Sequence, residues 1–172
     1  MGGRKILIGR EDIEKRVKEL GEEISRKYAG EKLIVIGVLK GAWIFMADLV
    51  RAMNIDVFCD FVRVSSYGTS TESSGEICLL YWPDLDFSGK RVLVVDDIAD
   101  TGLTSNFLKQ KFLGEGAVSV EFCVLLDKPS RRKTDFKPDY TGFTIPDHFV
   151  VGYGMDCNES YRNLPHVEIY QD

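Results

Sequence analysis

The chain has 172 residues, 44% hydrophobic and 28% charged, which fits one soluble domain large enough for a real core. A formal net charge of −5 and a pI near 5.2 argue against a general nucleic-acid binder. No apolar run approaches a membrane span and no signal-peptide core opens the chain, so a cytoplasmic protein is expected. Cys59, Cys78, Cys123 and Cys157 are scattered, with no CxxC pair or His-Cys cluster. They read as reduced thiols.

In chain order, Ile6-Leu7-Ile8 is a short apolar segment. Ile13, Val17, Leu20 and Ile24 then recur at helical spacing until Tyr28-Ala29-Gly30 stops the helix. Residues 33–38 form a buried strand, followed by Leu39-Lys40-Gly41-Ala42 and a helix over about 43–53. Lys40 stands at a strand-to-helix turn, where a lysine can meet a polyanion; read alone, it is a solvated loop lysine. Residues 56–64 and 77–82 are further strands. Between them, residues 65–75 are polar, glycine-containing and too long for an idle turn, which suggests a lid.

Val92-Leu93-Val94-Val95 is a strand with the composition of a parallel sheet's centre. Asp96 and Asp97 close it, and a loop of small and hydroxyl residues leads into a helix around 105–109. Such a strand-loop-helix unit offers backbone N–H groups and a positive dipole end to an anion. Gly102 lets the backbone approach a phosphate, and Thr101 and Thr104 add hydroxyl donors. Asp96 and Asp97 would repel that phosphate and suit sugar hydroxyls or a metal ion. Asp100 lies between the two zones, placed to exchange a proton with a group joined to the sugar. The loop therefore suits a sugar phosphate, although acids at a strand end can also be merely solvated or hold Mg²⁺ in a receiver-type domain.

Residues 118–126 form a sixth strand, and five cations lie between Lys128 and Lys137. Lys128 is nearest the strand end, whereas Arg131 and Arg132 read as solvent-facing. Residues 149–151 read as a short edge strand with Phe149 in the core. His148 and His166 read as surface or packing residues. Strands alternating with helices imply an α/β fold with a doubly wound, mostly parallel sheet. No GxxxxGK[ST] occurs, and Gly114-Glu115-Gly116 follows a helix rather than a strand, so neither nucleotide fingerprint is present.

The run Asp97-Ile98-Ala99-Asp100-Thr101-Gly102-Leu103-Thr104, with Asp96 before it, resembles the phosphoribosyl-pyrophosphate signature of the type I phosphoribosyltransferases. Its form is similar to that of the 6-oxopurine branch, the hypoxanthine-guanine phosphoribosyltransferases. Pro146-Asp147-His148-Phe149-Val150-Val151-Gly152-Tyr153-Gly154-Met155-Asp156 resembles a second segment of that branch. The likeness runs from Leu33 to Val167. It departs at Asp96, where many members carry Glu, and at Leu103, where some carry Lys.

The resemblance implies a single domain over 1–172, with a twisted sheet flanked by helices and a small hood from the N-terminal segment and about 128–172. It implies that Asp96, Asp97, Ile98, Asp100, Thr101, Gly102, Leu103 and Thr104 hold the phosphoribosyl group, with Asp100 as general base and Ile98 also near the purine. Lys40, Gly41, Ser66, Tyr67 and Arg162 would contact pyrophosphate, residues 66–67 belonging to the mobile loop. Lys128 would donate to the 6-oxo group, Phe149 would stack on the purine, and Val150 would pair with it through its main chain. Asp96, Asp97 and Asp156 would serve Mg²⁺. The Leu39-Lys40-Gly41 loop of the family carries a non-proline cis peptide. Expected substrates are phosphoribosyl pyrophosphate and a 6-oxopurine, with a homodimer or homotetramer as the assembly and no nucleic-acid or membrane partner. Two alternatives stay open: a transferase for xanthine, adenine or uracil, and a non-catalytic regulator that senses phosphoribosyl pyrophosphate.

Overall fold

The computed structural model describes residues 5–66 and 77–171. The elements, in order, are β1 (Lys5–Ile8), α1 (Arg10–Lys27), β2 (Leu33–Leu39), α2 (Trp43–Ala52), β3 (Val57–Ser66) and β4 (Ile77–Tyr81). They continue with β5 (Arg91–Ala99), α3 (Leu103–Gly114), β6 (Ser119–Asp127), a 3₁₀ turn at Pro129–Arg131, β7 (Tyr140–Thr144), β8 (Val150–Val151) and β9 (Val167–Ile169).

Six strands form one sheet in the order β4-β3-β2-β5-β6-β7. All neighbours run parallel except β3 and β4, which pair antiparallel at the edge. Successive side chains of a strand point to opposite faces, and here both faces are buried. Leu33, Val35, Leu93, Val95, Cys123 and Leu125 join α1 and α2 in one apolar cluster. Ile34, Ile36, Val92, Val94, Phe122 and Val124 join Leu108 and Phe112 of α3 in a second. The continuous apolar runs of β2, β5 and β6 are therefore the cause of the three-layer build. Trp82, Phe87 and Phe112 close the α3 side, with the Phe87 and Phe112 rings 5.0 Å apart and nearly edge-on.

A second, three-stranded antiparallel sheet is ordered β1-β9-β8 and joins the two ends of the described chain. The apolar segment at Ile6 thus becomes a strand because β9 offers it a partner. Three expectations change. The β5 strand does not close at the two acids but continues through Asp97 and Ile98 to Ala99, since β6 pairs with it as far as Asp127. β7 and β9 were not foreseen. Phe149 is not core: it precedes β8 with 56% of its surface exposed.

Candidate functional site

Parallel strands deliver their carboxyl ends to one edge of the sheet, and β2, β5 and β6 end there in Leu39, Ala99 and Asp127. This edge carries most of the residues singled out from the sequence. Asp96 and Asp97 lie on the last turnings of β5. Asp96 is buried, and its Oδ1 accepts the N–H of Asp97 at 2.9 Å, while Oδ1 of Asp97 accepts that of Ile98 at 2.9 Å. These bonds fix both carboxylates. Burial first, and the neighbouring Asp97 charge second, push the Asp96 carboxyl well above the usual carboxylate range; burial also raises Asp97.

Two adjacent acids, Asp96 buried and Asp97 half-buried, are an unfavourable pair of charges. They are hard oxygen donors, of the kind Mg²⁺ takes in ones and twos while substrate phosphates complete its shell. No group of three or more His, Cys, Asp or Glu side chains suited to a metal occurs among the described residues. The donor set therefore fits a cation shared with a bound phosphate ester, not one caged by protein alone. Asp156 has both oxygens engaged, Oδ1 with Arg162 at 3.0 Å and Oδ2 with the N–H of Glu159 at 2.8 Å.

The Leu39–Lys40 peptide is cis. Gly41 follows, and the reason for glycine is a protein contact: a Cβ there would lie 1.9 Å from Oδ2 of Asp97. Gly102, with φ of +83°, opens α3 without a side-chain cap. A Cβ on Gly102 would lie 2.4 Å from Oγ1 of Thr134 and 3.0 Å from Cδ of Arg132, so its missing side chain also serves packing. The loop is stitched to the segment after β6. Lys128 N–H donates to the Ala99 carbonyl at 3.0 Å and Lys133 N–H to that of Thr101 at 2.9 Å.

Lys128 is 7% exposed, with its ammonium 3.8 Å from Asp147. Arg131 donates to Asp100 at 2.9 Å and reaches Asp147 at 3.4 Å, so it is not a bystander on a basic face. Arg132 is not solvent-facing either: it pairs with Asp127, lies 5.5 Å from the Phe136 ring centre, and packs below Gly102. Nothing in the local sequence separates these two arginines from Lys133. The Phe149 ring meets Tyr170 edge-on at 5.7 Å, while Val150 beside it is buried. Ile98 is half-buried against the core.

Lys40 and Arg162, from opposite ends of the chain, meet at one carboxylate. Nζ of Lys40 lies 2.8 Å and Nη2 of Arg162 3.5 Å from Oε2 of Glu159. Arg162 also donates to the Gly154 carbonyl at 2.8 Å, and its Nε is buried with no hydrogen-bond partner among the described residues. A pair of cations with a spare donor is suited to an anion with several oxygens. Glu159 carried no signal in the sequence. Ser66 ends β3, and the expected lid falls outside the described residues from Tyr67 onward.

Known proteins resemble the chain over almost its whole length. Residues 8–158 match the phosphoribosyl transferase domain. A hypoxanthine-guanine phosphoribosyltransferase of Aquifex aeolicus is 50% identical over 98% of this chain and 95% of its own length. One of Bacillus subtilis is 48% identical over 96% of this chain and 92% of its own. A crystal structure of a hypoxanthine-guanine phosphoribosyltransferase from Bacillus anthracis superposes with a TM-score of 0.93 at 48% identity, covering 97% of this chain and 98% of that one.

Proposed function

The chain belongs to the phosphoribosyl transferase family, and we propose that it is a purine-salvage enzyme acting on hypoxanthine and guanine. It transfers ribose 5-phosphate from phosphoribosyl pyrophosphate to N9 of the base, giving the nucleoside monophosphate and pyrophosphate. The observation that carries this reading is the meeting of Lys40 and Arg162 on a single anionic oxygen, beside the Gly41–Asp97 contact.

The bond from C1′ of ribose to the pyrophosphate oxygen breaks, the bond from C1′ to N9 forms, and the purine releases a proton. Ring oxygen stabilises the positive charge that develops at C1′, so placement and neutralisation of the leaving group dominate catalysis. Lys40 and Arg162 receive the pyrophosphate, with Gly41 letting that turn sit against Asp97; residues 66–67 would complete this side. Residues 101–104, at the start of α3, hold the 5′-phosphate through N–H groups and the hydroxyls of Thr101 and Thr104. Asp96 and Asp97 hold the ribose hydroxyls. Asp96 and Asp97, with Asp156, would hold Mg²⁺, which would supply neutralisation of the pyrophosphate charge.

Asp100 accepts the purine proton, a role worth about 10²–10⁴-fold in rate. Lys128, buried and charge-balanced by Asp147, donates to the 6-oxo group. The exposed Phe149 ring offers a face for stacking, and Val150 and Ile98 border the base. Residues 1–172 act as one catalytic domain, with the β1-β9-β8 sheet as the hood that carries the purine side. Exposed Phe58, Leu80 and Tyr81 along β3 and β4 support a homo-oligomer. No described helix is long and apolar enough to cross a membrane.

The test is pyrophosphate release with Mg²⁺, phosphoribosyl pyrophosphate and a panel of bases. Turnover of hypoxanthine and guanine, with a steep fall in kcat for Asp100→Asn, is expected. Turnover of none of the bases overturns the reading.

A further inference from the structure

Between β8 and Arg162 the backbone makes an unusual turn, with φ of +100°, +50° and +103° at Gly152, Tyr153 and Gly154. A tyrosine in the left-handed region is disfavoured and must be held by its surroundings. Tyr153 is 6% exposed, and its hydroxyl donates to Oδ2 of Asp48 on α2 at 2.6 Å. Oδ1 of the same carboxylate pairs with Arg51. Burial, reinforced by Asp48, raises the Tyr153 hydroxyl far above its ordinary range, so it remains a neutral donor.

The helix that Tyr153 grips starts just after Gly41, at Trp43. Ile44 and Asp48 are four residues apart on one face of it. Gly154 packs onto the turn itself: a Cβ there would lie 2.2 Å from the Gly41 carbonyl oxygen and 3.9 Å from Cβ of Ile44. Gly154 also exchanges two hydrogen bonds with Arg162, giving its N–H to the Arg162 carbonyl at 2.9 Å and taking Nη1 at 2.8 Å. Tyr153 therefore joins the helix behind Lys40 to the turn that carries Arg162. Tyr153 and Asp48 line a 760 Å³ cleft together with Arg10, Lys18 and Pro165, none of which is assigned a substrate contact.

We propose that the Tyr153–Asp48 hydrogen bond sets the spacing between Lys40–Gly41 and Arg162, which makes Tyr153 a positioning residue for the pyrophosphate end of the substrate. This rests on the assignment of Lys40 and Arg162 to pyrophosphate made above. A small error in placement is costly where several fixed donors must meet one anion. The consequence is selective. Interactions with phosphoribosyl pyrophosphate and with product pyrophosphate weaken when the bond is lost, while the purine side, held by β8 and β9, does not change.

The experiment compares Tyr153→Phe, Asp48→Ala and Asp48→Asn with wild type in initial-rate kinetics, with each substrate varied separately and pyrophosphate as product inhibitor. Tyr153→Phe and Asp48→Ala are expected to raise the KM for phosphoribosyl pyrophosphate and the inhibition constant of pyrophosphate by about five- to tenfold. The KM for hypoxanthine stays within about twofold of wild type. Asp48→Asn, which keeps an acceptor oxygen for the tyrosine, falls closer to wild type than Asp48→Ala. Equal losses for both substrates, or no change in either pyrophosphate-side constant, overturn the proposal, as does Asp48→Asn matching Asp48→Ala. A wild-type protein that turns over no 6-oxopurine defeats the functional reading instead.

Discussion

Oε2 of Glu159 lies 2.8 Å from Nζ of Lys40, in a side chain whose own backbone has φ of +61°. The same oxygen touches Arg162, so the protein's own carboxylate occupies the two cations assigned to pyrophosphate. The hydrogen bond from Lys40 holds Glu159 below the usual glutamate range, so the contact persists at neutral pH. Pyrophosphate must displace it to bind, and it can return as pyrophosphate leaves. Glu159→Gln should therefore strengthen product inhibition by pyrophosphate, by about two- to fivefold given the modest strength of exposed ion pairs. An unchanged or weaker inhibition constant would show that Glu159 does not compete for the site.

Gly41→Ala should disable the site with the fold retained. The added carbon would meet Oδ2 of Asp97 at 1.9 Å, so either the turn or the acid must move. Overpacking of this kind costs about 1–3 kcal/mol. The expected result is a fall of more than about tenfold in kcat/KM for phosphoribosyl pyrophosphate, with a raised Mg²⁺ requirement. Near wild-type kinetics would place Asp97 outside the machinery.

Lys128→Met should weaken hypoxanthine selectively. The methionine keeps the buried stem but has no donor for the 6-oxo group, and Asp147 retains Arg131 as a partner. Loss of one such bond costs about 1–3 kcal/mol, or roughly tenfold or more in kcat/KM. Adenine, whose 6-amino group is itself a donor, gains nothing from the ammonium. Equal losses with both bases would reduce Lys128 to a structural role.

Arg132→Met should lower stability. Arg132 and Asp127 have side chains only 11% and 15% exposed, so removal of the guanidinium leaves a mostly buried carboxylate without its partner. The expected loss is about 2 kcal/mol in urea unfolding, and adding Asp127→Asn should restore part of it. If the double variant is no more stable than the single one, the ion pair is not what the arginine contributes.

Glu121 supplies a pH test away from the site. Burial alone would raise its carboxyl, but hydrogen bonds from Lys27, Tyr28 and Tyr140 outweigh that and hold it below the ordinary glutamate range. The unfolded chain then binds a proton at Glu121 more readily than the folded one, so this contribution is present at neutral pH and is lost as acid titrates the folded carboxylate. Glu121→Gln should destabilise the protein at pH 7, and the difference from wild type should shrink below about pH 4.5. A difference independent of pH would mean that packing, not charge, is responsible.

The sheet was legible because β2, β5 and β6 are buried on both faces and show it as unbroken apolar runs. The strand-to-helix position of the candidate phosphate loop was legible as well, because small and hydroxyl residues at Ala99, Thr101 and Gly102 follow the apolar run of β5 and lead into α3. β7 and β9 were not, since short strands with mixed polarity become strands only when a neighbour supplies the ladder. Arg131 and Arg132 look like Lys133 until tertiary contact gives them Asp100 and Asp127. Phe149 misled in the other direction: an aromatic beside Val150 and Val151 suggests core, yet its position just before β8 leaves the ring in the open. Glu159 and the Tyr153–Asp48 bond depend on segments that meet only in the finished fold.

The small sheet has β9 at its centre, with β1 on one side and β8 on the other. One of its ladders thus pairs the first described strand with the last, whereas β8 and the strands of the large sheet find their partners through shorter connections. Loop closure makes distant pairings slow to form. The large sheet should consequently assemble early during refolding, and β1 should dock onto β9 last. Recovery of helical and sheet signal ought to precede hydrogen-exchange protection of β1, so the interval between them would be a clock for this last pairing.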